Sequence, residues 1–317
     1  MDAPLIWVRI VHFAAVISVT GALLFLTFIA EPMFRKLDGA AKIAAVVRSW
    51  LTWIEWSGLA LVVLSGAAWL VFKAAEMGDV PWQAVFSEDL VPMVLWGTDF
   101  GRDWIARSVL AALLAAALIA ARPARAYYRP CLIVACVLAS GLIGTLAWAG
   151  HAAATGDGLG PVHIVSDILH LVAAGAWVGA LLPLALVLGA ALVRLDTSSI
   201  AIAREVVLRF STLGVACVGT LVITGVFNSW VIVGSLTGLT STAYGRLLLF
   251  KIALFFAMLS LAAINRLRLT PVIQHNGHAV AGPKALRRIR MNAVLEATIA
   301  LLIVAVVSLL GTLSPTL

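Results

Sequence analysis

Eight stretches of this chain, at about residues 5–30, 50–73, 104–121, 130–150, 162–189, 206–233, 246–264 and 291–313, are apolar over roughly the 20 residues that a helix needs to cross about 30 Å of hydrocarbon. Inside a bilayer each backbone N–H and C=O must find its partner within the protein, so runs of this length and number restrict the chain to a bundle of spanning helices. The predicted fold is all-α: a polytopic membrane protein with eight transmembrane helices in a lipid bilayer. With 62% hydrophobic and 12% charged residues, little chain remains for a separate soluble domain, and the longest piece between runs is about 74–103. Asp2 and the lack of basic residues ahead of the first run argue against a cleaved signal peptide.

A formal charge of +7 could suggest a nucleic-acid partner, but the placement of the charges excludes that reading. Most of the 22 basic residues fall in odd-numbered loops: Arg35, Lys36, Lys42 and Arg48 in the first, Arg122, Arg125 and Arg129 in the third, Arg194, Arg204 and Arg209 in the fifth, and Arg266, Arg268, Lys284, Arg287, Arg288 and Arg290 in the seventh. By the positive-inside rule those loops are cytoplasmic, and both termini and the even loops are periplasmic. The acidic second loop, with Glu76, Asp79, Glu88, Asp89, Asp99 and Asp103, agrees and offers an outward docking surface.

The halves of the chain resemble each other. HFAAVISVTGALL from His12 parallels HLVAAGAWVGALL from His170, and LVVLSG at 61–66 parallels TLVITG at 220–225. TDFGRDWIAR at 98–107 parallels TAYGRLLLFK at 242–251, and IGTLA parallels LGTLS at the ends of the fourth and eighth runs. Four matches in order predict two four-helix repeats, 1–150 and 151–317. Four spans return the chain to its starting side, so the repeats are parallel and related by an axis along the membrane normal. His12 and His170 are then equivalent, and the two rings would meet near that axis.

The fifth run carries the chemistry. Offsets of four and seven residues bring His163, Asp167 and His170 to one side of a helix, and Trp177 falls on the same stripe as a wall for it. An aspartate at a helix centre costs roughly 2.5–3.5 kcal/mol to insert, so this stripe must face protein or water. His151 ends the fourth run about twelve residues before His163, which puts four of the 6 histidines, His12, His151, His163 and His170, in one leaflet. Neutral imidazoles suit copper, zinc, iron or nickel, and Asp167 is the type of residue that holds the second ring nitrogen of a ligand. Glu55 and Glu296, near the other ends of the second and eighth runs, either snorkel and pair with nearby bases or form an inner station for a cation. Lys251 matches Arg107 in the repeat and reads as electrostatic. Cys131, Cys136 and Cys217 lie in apolar runs and read as small buried hydrophobes. His275 and His278 stand in the seventh loop without an evident third ligand. No nucleophile with a base and no phosphate loop is present, so no enzymatic activity is expected.

GHAAA at 150–154, SDILHLVAAGAWVGALLPL at 166–184, AYGRLLLFKIAL at 243–254 with Asn265 and Arg266 behind it, and Glu296 together resemble the copper resistance protein D (CopD) family. The resemblance implies an inner-membrane copper-homeostasis protein that passes copper from periplasm to cytoplasm, beside a separate periplasmic carrier of the CopC type. It implies His151, His163 and His170 as ligands, with His12 added by the repeat. Methionines are sparse near these histidines, which favours Cu2+, or Cu+ held by imidazoles alone. Two alternatives stay open. One is a haem b electron carrier ligated by His12 and His170, with small residues near His170 leaving room for a porphyrin. The other is a copper-binding sensor or assembly factor that moves nothing.

Overall fold

The computed structural model describes residues 2–37, 40–86, 89–150, 158–275 and 281–313. In chain order the helices are α1 (Asp2–Phe25), α2 (Glu31–Lys36), α3 (Ala41–Gly78), α4 (Leu90–Gly97), α5 (Asp99–Ala120), α6 (Tyr128–Gly144), α7 (Gly160–Val178), α8 (Leu181–Arg194), α9 (Thr197–Val233), α10 (Leu236–Ser241), α11 (Ala243–Ile264), α12 (Thr270–His275) and α13 (Ala281–Leu310). The π turns Leu26–Ala30 and Asn265–Leu269 join α1 to α2 and α11 to α12 as continuous rods. The fold is all-helical, with no strand among the described residues, and it has 8 helices long and apolar enough to cross a membrane.

Hydropathy marks where hydrocarbon ends, not where backbone hydrogen bonding ends, so several helices run beyond the apolar stretches. α3 starts at Ala41, α9 at Thr197 and α13 at Ala281, so Arg48, Arg204, Arg209, Lys284, Arg287, Arg288 and Arg290 sit on helix ends, not in loops. The fifth span is broken between α7 and α8, because Pro183 has no N–H to offer the Gly179 carbonyl four residues back.

The shared T-x-x-G-R motif has a structural job. Thr98 and Thr242 each cap the helix that follows, accepting from the Gly101 and Gly245 amides at 3.0 and 2.9 Å. A side chain on either glycine would overlap the backbone of the short helix just before it, α4 or α10. The motif thus folds each outer hairpin tightly onto its span.

Asp196 caps α9, taking hydrogen bonds from the Ser198 hydroxyl, the Ser199 amide and the Ser199 hydroxyl at 2.7, 2.7 and 3.0 Å. These bonds, that of Ser198 foremost, lower its carboxyl from 3.8 to about 2. A carboxyl depressed in this way stabilises the fold fully above its ordinary value and loses the contribution as pH falls toward 2. Amide protection at Ser199 and Ile200 is therefore expected to drop between about pH 4 and pH 2, and to be absent throughout in Asp196→Ala.

α1 and α7 occupy the middle of the bundle. α1 packs on α3, α6, α7, α8 and α13, and α7 packs on α9, α6 and α1. The two central helices cross at Gly21 and Gly179, where an added Cβ on either would run into the other helix's backbone. Contact this close is open only to glycine. At the end of the bundle away from the amino terminus, Arg48 grips the buried Glu31 through two bonds of 2.5 and 3.0 Å, and the Tyr128 hydroxyl donates to the same carboxylate at 3.0 Å. This triad ties the first, second and fourth spans together.

Candidate metal-binding centre

Each central helix presents a histidine nine residues ahead of its crossing glycine. His12 is 1% exposed, and its Nδ1 lies 3.0 Å from Ser65 Oγ on α3. His170 Nδ1 lies 2.9 Å from Thr224 Oγ1 on α9. Gly66 and Gly225 follow these hydroxyl residues and lie against the rings, whose Cε1 atoms would be in ordinary contact with an added Cβ at 3.6 and 3.5 Å.

The hydroxyls decide the tautomer. Ser65 donates its proton to the Leu61 carbonyl at 2.5 Å, and Thr224 donates to the Thr220 carbonyl at 2.6 Å. A hydroxyl has one proton, so toward the histidine each oxygen can only accept. Both rings therefore carry hydrogen on Nδ1 and leave the Nε2 lone pair bare. For His12 that Nε2 is buried without a hydrogen-bond partner. A neutral imidazole with Nδ1–H anchored and Nε2 open is the form that binds metal.

The surroundings of the two rings differ in charge. In the first half, Trp69 packs edge-on to His12 at 5.4 Å, with the Arg9 and Arg107 guanidiniums 5.5 and 5.2 Å from its ring centre. Arg107 is held by Asp103 and by Thr145, and Arg9 donates to the Gly311 carbonyl at 3.1 Å. In the second half, Ser166 donates to Asn228 at 2.6 Å and Asn228 donates to Asp167 Oδ1 at 3.1 Å. The other oxygen of Asp167 faces Gly150, the residue before His151. Lys251 interacts electrostatically with both Asp167 and His170. His163, 1% exposed, lies edge-on to Phe227 at 6.3 Å on the same α7–α9 interface. Both halves mix signs: Lys251 balances Asp167 in the second, whereas in the first Arg9 and Arg107 face one carboxylate, Asp103, and leave an excess of positive charge.

The structure thus gathers His163, Asp167 and His170 on the α7–α9 side and sets His12 on the α1–α3 side. Among the described residues no ring contact joins His12 to His170, because each ring is drawn sideways by a hydroxyl of its own half. No cluster of three metal-ligating side chains occurs among the described residues. His151 and His278 lie outside them. Asp167 was expected to hold a histidine ring nitrogen; Thr224 fills that role for His170, and the carboxylate bonds Asn228. Trp177 is buried at 2% exposure as expected of a deep residue, but it walls a cavity near Gly214 and Glu296 and packs on Phe255. Gly175, read as room for a porphyrin, is filled: a side chain there would press on Ile143 and Thr20.

Of the two inner acids, Glu55 is 4% exposed with Oε1 unpartnered, facing a small cavity of about 60 Å³ with Arg48 and Tyr128; it does not snorkel. Glu296, 1% exposed, accepts from the Asn265 amide at 2.9 Å and forms no ion pair among the described residues. Cys136 and Cys217 are buried and Cys131 half-buried, and all three are free thiols. His275 bonds the Pro271 carbonyl at 2.9 Å within its own helix. Ser65, Thr224 and Asn228 were missed as site residues, although the LSG and ITG matches of the repeat already aligned the two hydroxyls.

These features define a polytopic helical membrane protein with histidines set on its central helices. Residues 1–162 match the family model of the copper resistance protein D-like N-terminal domain, and residues 204–310 match that of copper resistance protein D. The chain is 32% identical over 281 residues to copper resistance protein D of Pseudomonas syringae pv. tomato, covering 88% of this chain and 89% of that one. It is 29% identical over 308 residues to inner membrane protein YebZ of Escherichia coli, 97% of each. Copper transport protein CutJ of Bacillus subtilis is 34% identical over 185 residues, 58% of this chain and 33% of that protein. No solved structure matches. The chain belongs to the copper resistance protein D family and is a multi-pass inner-membrane protein.

Proposed function

We propose that this protein takes copper from the periplasmic side and passes it across the inner membrane toward the cytoplasm. One observation carries the reading: Thr224 accepts from His170 Nδ1–H, which makes Nε2 the lone-pair nitrogen of that ring, on a central helix next to the half-buried Asp167 carboxylate. His163 and His170 then bind the ion, with His151 from the end of the fourth span and Asp167 supplying charge. The cargo is Cu2+, or Cu+ on imidazoles alone. His12 is the first-half counterpart of His170 and a weaker ligand, since Arg9 and Arg107 oppose a cation there. Glu55, buried and short of a partner, is the station on the cytoplasmic side. Both termini face the periplasm, where a separate CopC-like carrier would meet the acidic second loop.

The same reading makes residues 1–150 and 151–317 duplicated units. Its support is the pairing of equivalent positions: His12 with Ser65 against His170 with Thr224, and Gly21 in contact with Gly179. Equivalent residues touch only where a two-fold axis passes between them.

Purified protein is expected to hold copper at about one ion per chain, and cells expressing it to accumulate more copper than cells without it. Bound copper with equal accumulation would refute transport and keep binding; a copper-free protein that cannot be loaded would refute both.

A further inference from the structure

A cavity of about 230 Å³ lies in the second half, away from the histidines. Trp177 of α7, Phe210 and Gly214 of α9, Leu259 of α11 and Glu296 of α13 line it, with Asn265 at the π turn. Its rim includes Val215, 51% exposed, and Leu267, 71% exposed, on the outer surface of α9 and beyond α11. In a membrane that surface is lipid, so the opening faces the bilayer. Arg266 closes the gap below by donating to the Ser211 carbonyl and hydroxyl at 3.1 and 2.8 Å.

The walls are apolar but one pole is built for hydrogen bonding. Asn292 donates to Asn265 at 2.7 Å, and Asn265 donates to Glu296 Oε1 at 2.9 Å. That chain fixes the carboxyl through Oε1, and among the described residues neither Glu296 Oε2 nor the indole N–H of the buried Trp177 has a hydrogen bond. A buried pole offering an oxygen and an N–H calls for a guest that can answer both. An acyl chain answers neither. A fatty-acid carboxylate would set a second acid against Glu296. The lining has no thiol or imidazole to hold copper. The volume is below the roughly 300–1,000 Å³ of sites for drug-sized molecules and suits one substituted ring with its tail in lipid.

We propose that this cavity binds the ring of a membrane-soluble quinol, with a ring hydroxyl donating to Glu296 Oε2, a ring oxygen accepting from the Trp177 N–H, and the tail leaving between α9 and α11. The site is independent of the copper reading, and Glu296 belongs to it and not to the copper route.

The test uses the full chain in phosphatidylcholine nanodiscs, titrated under reducing conditions with a short-chain benzoquinol and read by tryptophan fluorescence. Saturable quenching is expected, with its amplitude reduced in Trp177→Phe. Gly214→Leu, which fills the cavity beside Trp177, should weaken binding at least tenfold, and Glu296→Gln should weaken it several-fold, both with unchanged helicity and a monodisperse profile. Decanol, a chain without a ring, should not compete. Linear quenching equal in all variants, or decanol competing as well as the quinol, would overturn the assignment.

Discussion

His170→Ala is expected to lower copper affinity by at least about a hundredfold while the eight spans still insert, because it removes a ligand whose supporting bond alone is worth about 10–100-fold. Thr224→Val separates the two contributions. It keeps the imidazole and the shape of the site but takes away the oxygen that accepts from Nδ1–H. Affinity should then fall about tenfold or more, as the proton is no longer held on Nδ1 and the ring is free to turn. His12→Ala should cost less than His170→Ala, since the first half sets two bases, Arg9 and Arg107, against one acid, Asp103, whereas Lys251 and Asp167 balance in the second. Isothermal titration of copper into the four purified proteins checks the order: wild type, His12→Ala, Thr224→Val, His170→Ala, from tightest to weakest. Equal losses in both histidine variants would mean one shared chelate across the two halves.

Gly21→Leu and Gly179→Leu are expected to have the largest effects on stability, at or above the roughly 1–3 kcal/mol typical of overpacked cores. At both positions the new Cβ meets backbone, which cannot rotate away as a side chain can, so α1 and α7 must separate. Everything that packs on those helices moves with them. Gly219→Ala is the control: nothing stands within 4 Å of its Cβ position, and the change should be neutral or slightly stabilising. Thermal melts of the three variants in detergent should show two sharp losses and no loss in the control. A melting temperature for Gly21→Leu within a degree or two of wild type would remove the close crossing from the account.

The number of spans and the central place of the first and fifth were legible because hydrocarbon imposes length and the Gly-Ala-Leu-Leu matches mark shared positions. Helix ends were not, since Arg48 or Arg204 can extend a helix beyond the membrane as easily as sit in a loop. The histidines stood out because a polar ring in an apolar run needs a reason. Their partners did not: Ser65 and Thr224 are common in membrane helices, and only packing shows that each bonds backwards along its own helix and so accepts from an imidazole. Direction was also invisible. The proposed two-fold relation would put His12 and His170 at one depth, but whether the rings turn toward the axis or away depends on which neighbour offers the better bond. The stripe argument carried Trp177 along with His163 and His170, yet that residue lies past the crossing and serves another cavity.

The account rests on the bare Nε2 of His170 as the atom that meets copper. X-ray absorption at the copper edge of the loaded protein tests it most directly. The account predicts the multiple-scattering pattern of at least two imidazoles, reduced by one imidazole in His170→Ala and restored in no variant that keeps alanine there. A copper shell of oxygen or sulfur without imidazole, or a spectrum unchanged by His170→Ala, would contradict it.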